Sequence, residues 1–165
     1  MTDRRAKTKC SVSVIGGNAC PAEIYRAAEE VGFLLAKAGR IVVCGGLGGV
    51  MEAACKGARR GGGLTVGILP GTRVEDANPY VDLPIATAMD DARNLIVVLS
   101  SSVVIAIDGK LGTLSEIALA LNNGRKVVAL GTPDLDQAWL SGKREFHRVG
   151  SPSEAVEKAL ELEGR

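Results

Sequence analysis

Three glycine-rich stretches carry the chemical signal of this sequence: Gly16–Gly17–Asn18, Gly45–Gly46–Leu47–Gly48–Gly49 and Gly109–Lys110–Leu111–Gly112. Each follows an apolar, β-branched run and leads into a helical pattern. The free N–H groups at a helix start point outward, and the helix dipole favours an anion there. Glycine lets a phosphate come close to that backbone. The chemistry expected is recognition of a phosphate-bearing ligand. The competing reading is that tight strand-to-helix turns need glycine for positive φ alone. The 45–49 stretch does not fit G-x-G-x-x-G, and no G-K-S/T follows it, so neither a dinucleotide fingerprint nor a P-loop is present.

Two charged side chains fall close to these turns. Arg93 follows Asp90 and Asp91, so it either makes a surface ion pair or faces a cleft and grips a phosphate or carboxylate with its two-pronged fork. Glu116 follows Thr113 at the spacing of a capping box, so it either caps its own helix or presents a carboxylate to the cleft. Thr113 is expected to be an N-cap or to offer its hydroxyl to a phosphate.

The elements that must position these groups alternate in type. Strands are expected at Ser11–Ile15, Ile41–Cys44, Thr65–Leu69, Ile85–Ala86, Val103–Ile107, Val127–Leu130 and, weakly, Phe146–Val149. Helices are expected from Pro21 to about Ala38, Val50 to Arg60, Asp90 to Leu99, Thr113 to Asn122 and Glu154 to Glu163. The segment Thr72–Pro84 reads as a long polar loop of the kind that forms lids and binding loops. Alternation with continuously apolar strands predicts an α/β fold: a doubly wound, mostly parallel, Rossmann-like sheet with helices on both faces. Ligands of such sheets bind beyond the strand carboxyl ends, near the switch in strand order, and all three turns fall at strand carboxyl ends.

Composition sets the outer limits. The 165 residues suit one domain spanning 1–165, with 46% hydrophobic and 24% charged residues. Aromatics make up only 3%, so the core must be aliphatic. A net charge of +1 argues against a nucleic-acid partner, and the basic cluster Arg4, Arg5, Lys7 and Lys9 reads as a solvated arm. Four cysteines without a C-x-x-C pair, and a single histidine, His147, predict no metal site and no disulfide framework. Reduced, mostly buried thiols suit the cytoplasm. No apolar stretch is long enough to span a membrane. The stretch Asn94–Leu99 is apolar nearly all round, which predicts burial in the core or in a homo-oligomer, dimer or tetramer. Trp139 is expected in the core, and His147 is read as structural.

At these residues the sequence resembles the Lonely Guy (LOG) superfamily, once misread as lysine decarboxylases. Its first turn, G-G-G-x-x-G-x-M-G, stands here as Cys44 to Glu52 and includes Met51. Its second, P-G-G-x-G-T-x-x-E, stands as Asp108 to Glu116, and its methionine-led Arg-Lys segment stands as Met89 to Asn94. The resemblance covers roughly Ser11 to Leu130. It implies that Arg93 and Glu116 are the functional pair of a phosphoribohydrolase cleaving the N-glycosidic bond of nucleoside 5′-monophosphates. A carboxylate would there stabilise an oxocarbenium-like ribose, while the turns hold the phosphate. It implies a ligand site at Gly16, Gly17, Gly45, Gly46, Gly48, Gly49, Met51, Asp108, Gly109, Gly112 and Thr113. The chain departs from the hydrolase pattern with Asp108 for proline, Asn94 for lysine, and Cys44 and Glu52 for glycines. These departures make it more similar to the molybdenum-cofactor carrier branch, which implies a bound nucleotide-like or pterin-like phosphorylated small molecule and no cofactor needed for folding. No Schiff-base lysine is in evidence, so lysine decarboxylation is not expected.

Overall fold

The computed structural model describes residues 10–133, 135, 140 and 145–164. The basic arm and Trp139 lie outside the described residues. Seven strands form one all-parallel sheet: β1 (Ser11–Gly16), β2 (Ile41–Cys44), β3 (Thr65–Leu69), β4 (Leu83–Ala86), β5 (Val103–Ile107), β6 (Lys126–Leu130) and β7 (Phe146–Val149). Their order is β4-β3-β2-β1-β5-β6-β7. The chain winds outward from β1 in one direction, then returns past β1 to begin β5 and winds outward the other way. The switch point is therefore the β1–β5 junction, where Gly16 pairs with Ile107.

Strand alternation splits the core into two layers. Val12, Val14, Val42, Ile105 and Ile107 point to one face, beneath α1 (Ala22–Lys37), α2 (Val50–Arg60) and α5 (Pro152–Glu163). Ile15, Val43, Val104 and Ala106 point to the other, beneath α3 (Arg93–Leu99) and α4 (Leu111–Asn122). Helices thus cover both faces, and the strands read as continuous apolar runs for that reason. Ser13 and Thr65 are buried polar exceptions, and Ser13 is the one on the central strand β1. Its hydroxyl donates to the Val97 carbonyl at 2.6 Å, which ties the end of α3 to the central strand.

Several boundaries differ from expectation, each for a local reason. Thr72–Pro84 is not an open loop: Val74–Asp76 forms a 3-10 turn, and β4 begins at Leu83. Pro84 is tolerated there because β4 is an edge strand. Asn78 pins the segment, as its backbone N–H donates to the Gly46 carbonyl and its side-chain amide to the Leu47 carbonyl, both at 2.9 Å. Asp90–Ala92 is a 3-10 turn, so the third α-helix starts at Arg93. The final helix starts at Pro152, where Ser151 accepts the Glu154 N–H at 3.3 Å. Half of α3 is bare: Val97 and Val98 are buried, while Leu95, Ile96 and Leu99 are exposed. Among the described residues, no helix is long and apolar enough to cross a membrane.

Helices α1 and α2 approach almost backbone to backbone. A Cβ on Gly57 would collide with the Glu29 carbonyl, and one on Gly32 with the Ala54 carbonyl. The small residues Ala28, Ala53 and Ala54 complete this contact. It fixes α2 and, through it, the glycine turn that precedes Val50. Gly57→Ala is expected to destabilise the fold by about 1–3 kcal/mol through overpacking, despite alanine's higher helix propensity. Denaturant unfolding of the variant checks this.

Candidate functional site

A cleft of about 410 Å³ opens at the switch point, beyond the carboxyl ends of β1 and β5. Its wall includes Gly16 and Gly17 after β1, Met51 on α2, Arg93 at the start of α3, and Asp108, Gly109, Gly112, Thr113 and Glu116 across the turn into α4. The other four glycines singled out in the sequence lie behind that wall. Gly45 backs Arg93, Gly46 backs onto Gly67 and Leu69, and Gly48 and Gly49 touch the first turn. Asn18 joins the two turns, its Oδ1 accepting the Gly48 N–H at 2.8 Å. The Val50 N–H donates to the Gly17 carbonyl at 3.0 Å. Gly49 sits at φ 60°, and a Cβ there would strike Gly17. For Gly48 and Gly49, then, the interlocking of two turns is reason enough for glycine.

Gly45 has a different role. The space that a side chain at residue 45 would fill is occupied by the Arg93 guanidinium. Arg93 is only 8% exposed, and its Nε is buried without a hydrogen-bond partner. Burial lowers its pKa, opposed by the negative charges of Glu116, Cys44 and Asp91. An arginine stays protonated regardless. It is not the surface partner of Asp90. Glu116, also 8% exposed, lies near it. Burial pushes the Glu116 carboxyl up from 4.5 to about 7, with Arg93 pulling it partly back and Asp91 adding to the rise.

The capping-box reading of Glu116 and the N-cap reading of Thr113 both fail. Helix α4 begins two residues earlier than expected, with Lys110 at the N-cap position and no side-chain cap. Thr113 and Glu116 are thereby carried inside the helix, onto its buried face. The earlier start follows from Asp108, which takes φ 49° and turns the chain sharply after β5. Proline, fixed near φ −65°, has no access to that conformation. The Asp108 turn thus differs in kind from a turn built on proline.

A second feature, buried behind Met51, was not singled out in the sequence. Cys44 and Cys55 are buried with their sulfurs 3.5 Å apart, and the Gly46 N–H donates to the Cys44 sulfur at 3.3 Å. The contact lowers the Cys44 thiol pKa and raises that of Cys55. Its only sequence signal is the pairing of a strand-end residue with a helix position eleven residues on, and many such pairs never touch. Asn94, Asp91 and Lys110 also line the cleft. Among the described residues no group of three or more metal-ligating side chains converges.

The arrangement defines a class: a doubly wound, Rossmann-like α/β protein with a cleft at the topological switch point, walled by glycine turns and one buried arginine, where proteins of this class bind their ligands. Comparison with known proteins gives the family. Residues 9–156 match the SLOG cluster4 family, and the chain belongs to it. It is 47% identical over 146 residues to an uncharacterised protein of Archaeoglobus fulgidus, covering 88% of this chain and 91% of that one. It superposes on the molybdenum cofactor binding protein of the phototrophic bacterium Rippkaea orientalis with a TM-score of 0.87 and 37% identity, covering 94% of this chain and 98% of that one. The molybdenum cofactor carrier protein of Chlamydomonas reinhardtii gives a TM-score of 0.87 at 34% identity, covering 95% of this chain and 100% of that one.

The raised Glu116 pKa has a thermodynamic consequence. The folded state holds this proton more tightly than the unfolded chain does. Stability therefore falls as the pH rises from about 4.5 towards 7, and the penalty, about 3 kcal/mol, is complete above that. Glu116→Gln is expected to remove this component. Its stability should match wild type near pH 4 and exceed it at pH 8. Urea unfolding of both proteins across that range makes the measurement.

Proposed function

We propose that this chain binds and carries a phosphorylated, nucleotide-like or pterin-like small molecule in the switch-point cleft. By similarity to the carrier proteins of Rippkaea and Chlamydomonas, molybdenum cofactor is the cargo of choice. The observation that carries this reading is Arg93: a desolvated guanidinium on the cleft wall whose Nε has no hydrogen-bond partner among the described residues. A guanidinium buried in this way is suited to an anion brought from outside. Backbone N–H groups of the 109–112 turn would supply the remaining donors. The glycine-turn residues on the cleft wall would serve as contact positions, with Arg93 as the anion clamp.

The phosphoribohydrolase reading uses the same Arg93 and Glu116. It is disfavoured by the Asp108 turn, whose left-handed backbone a proline-led turn cannot adopt. The reading also includes a homo-oligomer formed through the bare face of α3, where Leu95, Ile96 and Leu99 stand exposed. Light scattering should return a species larger than a monomer. Four cysteines with no disulfide among the described residues suit a reducing cytoplasm.

Calorimetric titration with inorganic pyrophosphate is the direct test of the anion cleft. Arg93→Met should weaken binding by about 10- to 100-fold, the worth of a charge-assisted hydrogen bond. Incubation of wild type with nucleoside 5′-monophosphates should release no free base by chromatography. Release that disappears in Glu116→Ala would establish the hydrolase in place of the carrier.

A further inference from the structure

The two thiols behind Met51 have no part in the anion reading. Cys44 ends β2, Cys55 lies on α2, and both are fully buried. Their sulfurs are 3.5 Å apart, in a small apolar cluster with Met51. The stretch between them holds the whole Gly45–Gly49 turn.

Packing alone accounts for two buried thiols, since a thiol packs as a small hydrophobe. It does not account for the polar surroundings of Cys44. That sulfur accepts the Gly46 N–H at 3.3 Å and lies 3.9 Å from the Met51 carbonyl, which takes the proton of the neutral thiol. The Cys55 contact draws Cys44 towards the thiolate against the pull of burial, and the Gly46 N–H and the Arg93 charge help it. The same contact holds the proton on Cys55, and burial adds to that. One sulfur is thus primed as the nucleophile and its neighbour is kept as the thiol. A dithiol that closes to a disulfide divides its roles in this way.

We propose that Cys44 and Cys55 form a covalent modification site: a dithiol that hydrogen peroxide converts into an intramolecular disulfide between β2 and α2. The Cys44 sulfur attacks one peroxide oxygen, the O–O bond breaks, and the other oxygen leaves as water with the thiol's proton. The Cys55 sulfur then attacks the sulfenic acid so formed. The S–S bond forms, the S–O bond breaks, and the hydroxyl leaves as water with the Cys55 proton. Each sulfur is oxidised by one electron and one peroxide is reduced to two waters. From 3.5 Å the sulfurs must close by roughly 1.5 Å to reach bonding distance. Peroxide enters from the side of Leu47, Tyr80 and Val81, the half-buried residues that cover the cluster. Asn78 holds that cover down, donating to the Leu47 carbonyl and touching Cys55 with its side chain. In a reducing compartment the dithiol is the resting state and the crosslink is transient.

The test uses the native wild-type chain. Trypsin cuts after Arg40 and Lys56, so both cysteines fall on peptide 41–56, while Cys10 and Cys20 fall on peptide 10–26. The protein is exposed to hydrogen peroxide, unfolded in an alkylating agent and digested for mass spectrometry. Peptide 41–56 should accumulate two hydrogens lighter than its dithiol form and without alkyl groups, and dithiothreitol should restore alkylation. Cys44→Ala should leave Cys55 open to alkylation at the same dose. Cys55→Ala should leave Cys44 as a sulfenic acid that dimedone traps. Asn78→Ala should speed closure about 3- to 10-fold, the worth of one hydrogen bond. Peptide 41–56 that stays fully alkylated while peptide 10–26 is oxidised overturns the site. So does a link that joins the two peptides in preference to closing 41–56, or a Cys55 that oxidises in Cys44→Ala as fast as in wild type.

Discussion

The organisation of this site depends on where a single buried cation can be put. Arg93 lies against the backbone of Gly45, in the volume that any other residue would fill with a side chain. A guanidinium in that position has lost most of its water. It needs compensating negative charge, and Glu116 and Asp91 supply it. Neither forms a close ion pair with it among the described residues, so the compensation is through space and the fork stays uncommitted. The same burial that weakens the hydration of Arg93 raises the proton affinity of Glu116 to about 7. The two groups are thus set against each other in a low-dielectric wall, where small changes in charge have large effects.

The scaffold serves that placement. Arg93 arrives through a segment with two left-handed residues, Ala88 at φ 55° and Asp90 at φ 46°. Each is unfavourable for a residue with a Cβ, by about 1–3 kcal/mol in the sparsely populated case, and aspartate tolerates it better than alanine. Backbone hydrogen bonds from Ala88 to the Gly71 carbonyl and from Asp90 to the Pro70 carbonyl hold the segment against β3. The far end of α3 is tied to β1 by Ser13. On the opposite wall Asp108 takes a third left-handed conformation, and its N–H donates to the Leu130 carbonyl at 2.9 Å. Three strained non-glycine residues therefore lie at or just before the cleft, each held by contacts to a neighbouring strand.

Much of this was legible in the sequence, and the misses have physical causes. Apolar β-branched runs gave all seven strands because a parallel sheet buried on both faces leaves little else for them to be. The strand ends at which the cleft opens were marked by glycine turns, but the strand order that puts the switch between β1 and β5 was not legible. Arg93 and Glu116 were singled out, but their competing roles were not resolvable, because Asp90, Asp91 and Thr113 offered local partners at the right spacing. Tertiary structure overrode those local choices. The left-handed turn at Asp108 started α4 at Leu111, which moved Thr113 and Glu116 from cap positions to an inward face. The 72–84 segment read as a lid because it is polar and long. Asn78 instead anchors it to the glycine turn after β2, a contact between positions about thirty residues apart that no local pattern encodes. The Cys44–Cys55 contact was invisible for the same reason.

The charge on the cleft wall sets how it would meet an anion. The titratable and charged groups facing the cleft are Arg93, Lys110, Asp91, Asp108 and Glu116. With every carboxyl ionised, the wall carries more negative than positive charge and resists an anion. With Glu116 protonated, the two signs balance, and the backbone donors and the Arg93 fork decide the outcome. An anion entering beside Glu116 would raise its proton affinity further, so binding would draw in a proton and departure would release one. A hydrolase that stabilises a cationic sugar needs its carboxylate ionised throughout. A carrier gains from a carboxyl poised near neutrality, because occupancy then responds to the local charge that a docking partner or a small pH change brings.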